Sequence, residues 1–172
     1  MLLDGGPGVL ASLWESGQRH VVLAVLKALS ESGLEAIVVG SVAAVLQGSP
    51  VTTRDMDLLV RDTPTNRRKI AALGKRLGSR PPVISDFSPA LRIDLPAAAV
   101  DVLFDRLPGD LEFEALRARS LSIAVGRQTA RVACLEDIVA SKAACGRPKD
   151  LAQLPLLREI LRVKQALDKG RA

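Results

Sequence analysis

Apolar residues recur along this chain with two different periods, and the changes of period mark out its elements. In HVVLAVLKALSESG, Val22, Val25, Leu26 and Leu29 fall at i, i+3, i+4 and i+7, the inward stripe of an amphipathic helix, and Gly33 supplies a stop. A first strand, AIVV at residues 36–39, follows. Gly40 and Ser41 break it, and VAAVLQ after them suits a short helix whose free N–H groups point back at the turn; Gly48, Ser49 and Pro50 close it. DMDLLV, residues 55–60, reads as a second strand. TPTNRRKIAALGKRLGSRPP then reads as a helix capped by Thr63 or Thr65, with Ile70, Leu73 and Leu77 inward.

The period then drops to two. LRIDL, VDVLF, SLSIAV and TARVA are short alternating runs between Pro-Ala, Pro-Gly and Gly-Arg breaks, the pattern of a meander of strands, with DLEFEALRAR as a helix or a loop among them. From Leu135 the helical period returns in LEDIVASKAACG and, after a break at Gly146 to Pro148, in KDLAQLPLLREILRVKQALDK, where Pro155 must start or kink a helix. The expected architecture is an α+β fold: a mixed twisted sheet with helices packed on it and a helical C-terminal segment. One domain is expected over residues 1–172, its core at about 34–134 and its helical part at about 135–170.

Hydrophobic residues make up 48% of the chain and charged residues 25%, the balance of a globular protein, and no apolar run approaches the roughly 20 residues that span a bilayer. No membrane association is expected. The start, MLLDGGPGVLASLWESGQRH, has an acid and glycines where a secretory signal has a basic region and a long apolar stretch, so a cytoplasmic location is expected. Cys134 and Cys145 are far from any C-x-x-C spacing and His20 is the single histidine, which leaves no zinc site of the usual ligand types and no Ser-His or Cys-His couple. Both thiols read as small buried hydrophobes and His20 as an ordinary helix residue. A net charge of +5 favours an anionic partner, while 2% aromatics with no Tyr argues against a base-stacking platform.

Asp55 and Asp57 are the chemical oddity. Two residues apart on a strand, they share a face while Met56 and Leu58 point into the core. Two carboxylates this close repel, and in a partly dry cleft one must take up a proton unless a cation is shared. Their spacing suits a hard cation, above all Mg²⁺ holding a nucleotide's phosphates; taken alone, it equally suits a solvated strand face. Gly40 and Ser41 form a strand-to-helix turn that could bind phosphate or simply start a helix. Asp101, in AVDVLF, lies on a strand able to pair beside the Asp55–Asp57 strand, with Asp94 and Asp105 as alternative third carboxylates. On the LEDIVASKAAC helix, Lys142 falls on the face of Leu135, Ile138 and Val139, either extending its ammonium to water or meeting phosphate. In the GRPKD turn, Asp150 reads as structural and Arg147 as a candidate for phosphate or acceptor binding. Arg158, Arg162, Gln165 and Lys169 form a polar, mostly basic stripe, either a solvated face or a track for an RNA backbone.

The stretch VVGSVAAVLQGSPVTTRDMDLLV resembles the signature of the DNA polymerase β-like nucleotidyltransferase superfamily: an apolar residue, Gly, then Gly or Ser, a gap of about a dozen residues, an Asp-x-Asp strand, and a third Asp on a later strand. LEDIVASKAACGRPKDLAQLPLL is similar to the C-terminal helical signature of small stand-alone bacterial members, which include toxins of toxin–antitoxin pairs. The resemblance runs from about Leu34 to about Leu157. It implies transfer of a nucleoside monophosphate from an NTP to an acceptor hydroxyl on tRNA or a protein, with an antitoxin as a further partner. By position, Gly40 and Ser41 would hold the triphosphate together with Lys142 and Arg147, and Asp55, Asp57 and Asp101 would hold two Mg²⁺ ions, Asp101 also helping to deprotonate the acceptor. Two departures stand out: Val51 where many relatives have Arg, and Gln153 where an Asp is common. They motivate an alternative, a catalytically silent binding module of the same fold for a partner protein or RNA. An enzyme that modifies aminoglycosides fits less well, since such enzymes usually carry a further domain and an acidic drug pocket while this chain is basic.

Overall fold

The computed structural model describes residues 18–80 and 90–170. In chain order the elements are α1 (Gln18–Ser32), β1 (Ile37–Val39), α2 (Gly40–Val45), β2 (Asp55–Val60), α3 (Pro64–Arg76), β3 (Ala90–Asp94), β4 (Ala99–Phe104), β5 (Arg106–Leu107), β6 (Leu111–Glu112), α4 (Phe113–Arg119), β7 (Leu121–Val125), β8 (Gln128–Val132), α5 (Leu135–Cys145) and α6 (Pro148–Lys169). Six of the strands form one mixed sheet in the order β3-β4-β2-β1-β8-β7, and β5 pairs with β6 in a separate two-stranded ribbon.

The sheet corrects the meander expected from the alternating runs. β3–β4 and β7–β8 are two antiparallel hairpins on opposite edges, joined in parallel to the central pair β2 and β1 respectively. Period-two alternation specifies a strand with one buried face, but a strand's partner depends on where its apolar face finds cover. DLEFEALRAR resolves into the β6 edge and α4, whose Phe113 and Leu116 are buried.

The core follows the apolar positions closely. Val22, Val25, Leu26 and Leu29 of α1 and Ile70 and Leu73 of α3 are buried, Leu77 is partly buried, and the two helices pack on each other. On β2, Met56 and Leu58 are fully buried. Each such side chain contributes about 1.5–3 kcal/mol of transfer free energy, so Leu58→Ala would open a costly void beneath the strand that carries the carboxylates. Thr63 is the cap of α3, its hydroxyl accepting the Asn66 N–H at 3.0 Å. α6 starts at Pro148 and continues through Pro155. Pro155 withholds the N–H that would meet the Leu151 carbonyl, but both residues are exposed, where water can serve instead. Among the described residues no helix is long and apolar enough to cross a membrane.

The cysteines differ from expectation: both are half-buried, and the Cys134 thiol donates to Asp137 at 3.0 Å. Burial, with help from that bond, pushes its pKa up to about 11, which makes it inert. His20 is an exposed residue of α1, as expected.

Candidate active site

One wall of the site is the face shared by three neighbouring strands. Parallel pairing of β2 with β4 sets Asp57 opposite Asp101, and antiparallel pairing of β3 with β4 sets Arg92 opposite Asp101; Asp55 and Asp94 both lie opposite Ala99. Because side chains alternate, this register makes two adjacent rows on one face, Arg92–Asp101–Asp57 and Asp94–Ala99–Asp55. The structure therefore brings together Asp55, Asp57 and Asp101. Asp105 is elsewhere, in a left-handed turn after β4 where its carboxylate accepts the Asp62 N–H at 2.8 Å. Asp94 is on the right face but is far more exposed than Asp101.

Arg92 binds across this face. Its Nη1 donates to both oxygens of Asp101 at 3.2 and 3.1 Å, its Nη2 to Asp55 Oδ2 at 3.3 Å, and its Nε to Asp94 Oδ1 at 3.2 Å. Asp57 accepts no hydrogen bond from any described residue. Burial, reinforced by the charge of Asp101, pushes its pKa up to about 6, although Lys142, Lys149 and Arg147 pull the other way. Asp57 also explains Gly40. That residue has φ +66° and sits so close that a Cβ on it would collide with the Asp57 carboxylate, so only glycine fits.

The opposite wall is helical. Lys142 of α5 is buried, and its ammonium donates to Asp150 Oδ1 at 3.0 Å and to the Ser41 hydroxyl at 3.4 Å. Ser41 in turn donates to Gln153 Oε1 at 3.3 Å. Asp150 is fully buried, and its other oxygen accepts from Arg147 Nε at 2.6 Å. Burial alone would raise the Asp150 pKa, but the bonds from Arg147 and Lys142 outweigh it and hold the carboxyl below its ordinary value. Gly146, with φ +65°, ends α5 in the left-handed conformation that turns the chain into α6 and so makes this cluster possible. Ser41, Lys142 and Arg147 thus belong to one network, and the Lys142 ammonium is held inside it.

Two members of the site escaped the sequence. Gln153 stood out only as a departure, although it is the acceptor for Ser41. Arg92 had a local signal, since alternation in LRIDL puts it on the face of Asp94, but its reach to Asp55 requires the sheet order.

Among the described residues no three acidic, Cys or His side chains converge as ligands on one point, and Arg92 holds the oxygens of Asp55 and Asp101. In kind the carboxylates nevertheless suit a hard cation: they are oxygen donors on one strand face, and Asp57 lacks a bonded countercharge.

The chain matches no protein-family model and no curated protein. Its fold does have solved counterparts. The solution structure of the antibiotic-resistance factor ANT(2'')-Ia superposes with a TM-score of 0.63 at 16% identity, covering 91% of this chain and 94% of that one. The crystal structure of ANT(2'')-Ia with adenylyl-2''-tobramycin gives 0.60 at 17% identity, covering 91% and 100%. A Thermotoga maritima protein assigned as a nucleotidyltransferase gives 0.55 at 18% identity, covering 83% and 91%. The shared fold is the nucleotidyltransferase fold. The crystallised ANT(2'')-Ia chain is covered end to end by the match.

Proposed function

We propose that this chain, built on the nucleotidyltransferase fold, is a Mg²⁺-dependent nucleotidyltransferase that moves a nucleoside monophosphate from an NTP to an acceptor hydroxyl on tRNA or a protein, as the toxin of a toxin–antitoxin pair. The observation that carries this reading is the Asp57–Asp101 register beside Gly40, an acidic row with an unneutralised member facing a cationic wall. Asp55, Asp57 and Asp101 would hold the divalent cations, which when bound stabilise negative charge on the transferring phosphate and its leaving group. The Lys142 ammonium and the Ser41 hydroxyl meet phosphate oxygens, and the exposed Arg147 guanidinium adds charge at the mouth. The acceptor oxygen forms a bond to the α-phosphorus as the bond to the β-phosphate oxygen breaks, pyrophosphate leaves, and Asp101 takes the acceptor's proton. No covalent protein nucleophile is needed, in keeping with a chain whose single histidine is an exposed residue of α1.

The +5 charge and the exposed Arg158 and Lys169 of α6 favour an anionic acceptor over a cationic drug. The test is incubation with each α-labelled NTP and Mg²⁺ in three arms: total RNA, cell-lysate protein, and tobramycin. Label on RNA or protein, lost with Asp57→Ala, supports the reading. Label on tobramycin alone moves the acceptor to a small molecule, and no label in any arm leaves the binding-module alternative. Growth arrest on induced expression, relieved by Asp57→Ala, tests the toxin role.

A further inference from the structure

Arg92 is the only residue among those described that hydrogen-bonds the Asp55 and Asp101 side chains, and it uses the oxygens a metal would need. We propose that Arg92 is a positioning residue of the metal site: it holds Asp55 and Asp101 aligned on one face and competes with a divalent cation for their oxygens, so that it sets the cation's affinity. This rests on the metal-dependent reading above.

The geometry supports exchange and argues against a permanent brace. Arg92 sits on β3, the outer strand of its hairpin, and its side chain is 52% exposed, so its ion pairs are of the weak, solvent-screened kind. Its Nε is anchored separately on Asp94, which is 83% exposed and lies in the outermost position of its row. The guanidinium can therefore keep that anchor while its two terminal nitrogens release Asp101 and Asp55. A fixed structural arginine would be enclosed by its partners, as the carboxylate of Asp150 is enclosed by Lys142 and Arg147. One guanidinium also leaves Asp57 unbonded, so the row keeps a demand for a further cation.

The test measures Mn²⁺ binding by the loss of the free-ion electron paramagnetic resonance signal, with full-length wild type, Arg92→Gln, Arg92→Lys and Arg54→Gln. Arg54 is the exposed neighbour of Asp55 and makes none of these bonds, so it controls for charge alone. Arg92→Gln is expected to bind Mn²⁺ about tenfold tighter than wild type. Arg92→Lys, which keeps the charge without the fork, should fall between, and Arg54→Gln should stay within about twofold of wild type. In EDTA, Arg92→Gln should melt below wild type and recover more on Mn²⁺ addition. The proposal is overturned if both Arg92 variants bind Mn²⁺ no tighter than wild type, or if Arg54→Gln tightens binding as much as Arg92→Gln. Equal binding by all chains overturns this inference alone, whereas no Mn²⁺ binding by any chain, with or without NTP, overturns it together with the metal-dependent function.

Discussion

Asp57 on the strand wall and Asp150 on the helical wall are driven in opposite directions by their surroundings. Asp150 is the more deeply buried, yet Lys142 and Arg147 bind its two oxygens and keep it ionised. Asp57 accepts no hydrogen bond from any described residue, so its burial goes uncompensated and, with the charge of Asp101 beside it, raises its pKa to about 6. Burial by itself therefore does not decide what an acid does; the partners within reach decide it. The helical wall is a closed account of charge that holds Lys142 in place. The strand wall keeps a deficit that a bound cation can fill, which is why the two walls suit two different jobs.

The largest expected effect comes from opening the closed wall. Asp150→Ala would strand the buried Lys142 ammonium and should lower unfolding stability by about 3–5 kcal/mol in urea titrations. Pairing it with Lys142→Met should restore much of that loss. A single-variant loss below about 1 kcal/mol would erase the contrast between the walls.

Relieving the strand wall should act the other way. For Asp57 the folded-state value of about 6 lies above its ordinary 3.8, so between these the folded protein binds more protons than the unfolded chain, and this group's contribution falls as pH rises through the window. The full difference corresponds to about 3 kcal/mol. In EDTA at pH 7, Asp57→Asn should therefore be about 1–3 kcal/mol more stable than wild type while losing transfer. That advantage should shrink as pH falls from 7 towards 4, because wild type then gains the proton that the amide replaces. Asp150, with its depressed value, adds the opposite slope below about pH 4, where wild type and variant should lose stability together. An advantage that stays constant with pH would show that Asp57 is not the strained group.

Arg147→Gln should have the smallest effect on stability. Its side chain is 58% exposed and Lys142 still binds Asp150, so unfolding stability should change by less than about 1 kcal/mol. Nucleotide affinity, measured by the KM for NTP, is the readout in which this residue should matter.

How much of this was legible depends on whether the physics was local. Asp55 and Asp57 share a face by strand periodicity alone, and Gly40-Ser41 is a local break, so both were readable. Asp101 needed one pairing, β2 with β4, and its apolar neighbours already indicated a buried strand there. The edge hairpins and the reach of Arg92 depend on the whole sheet order, which alternating residues do not encode. Asp150 read as structural, but its burial was not legible, for a different reason. An acid in the first turn of a helix satisfies capping chemistry whether exposed or buried, and only packing of α6 against α5 buries it under Lys142. Pro155 likewise signals a helix start or kink in sequence; it does not start α6, which passes through it with both Pro155 and Leu151 exposed to water.

The most direct test of two walls acting on one ligand is calorimetric titration of a non-hydrolysable NTP analogue into wild type and Asp57→Asn, each with Mg²⁺ and with EDTA. Wild type with Mg²⁺ should bind the analogue, and removal of Mg²⁺ or of the Asp57 charge should weaken binding at least tenfold. Equal affinity in all four titrations would contradict a strand wall that takes up a cation to hold the nucleotide.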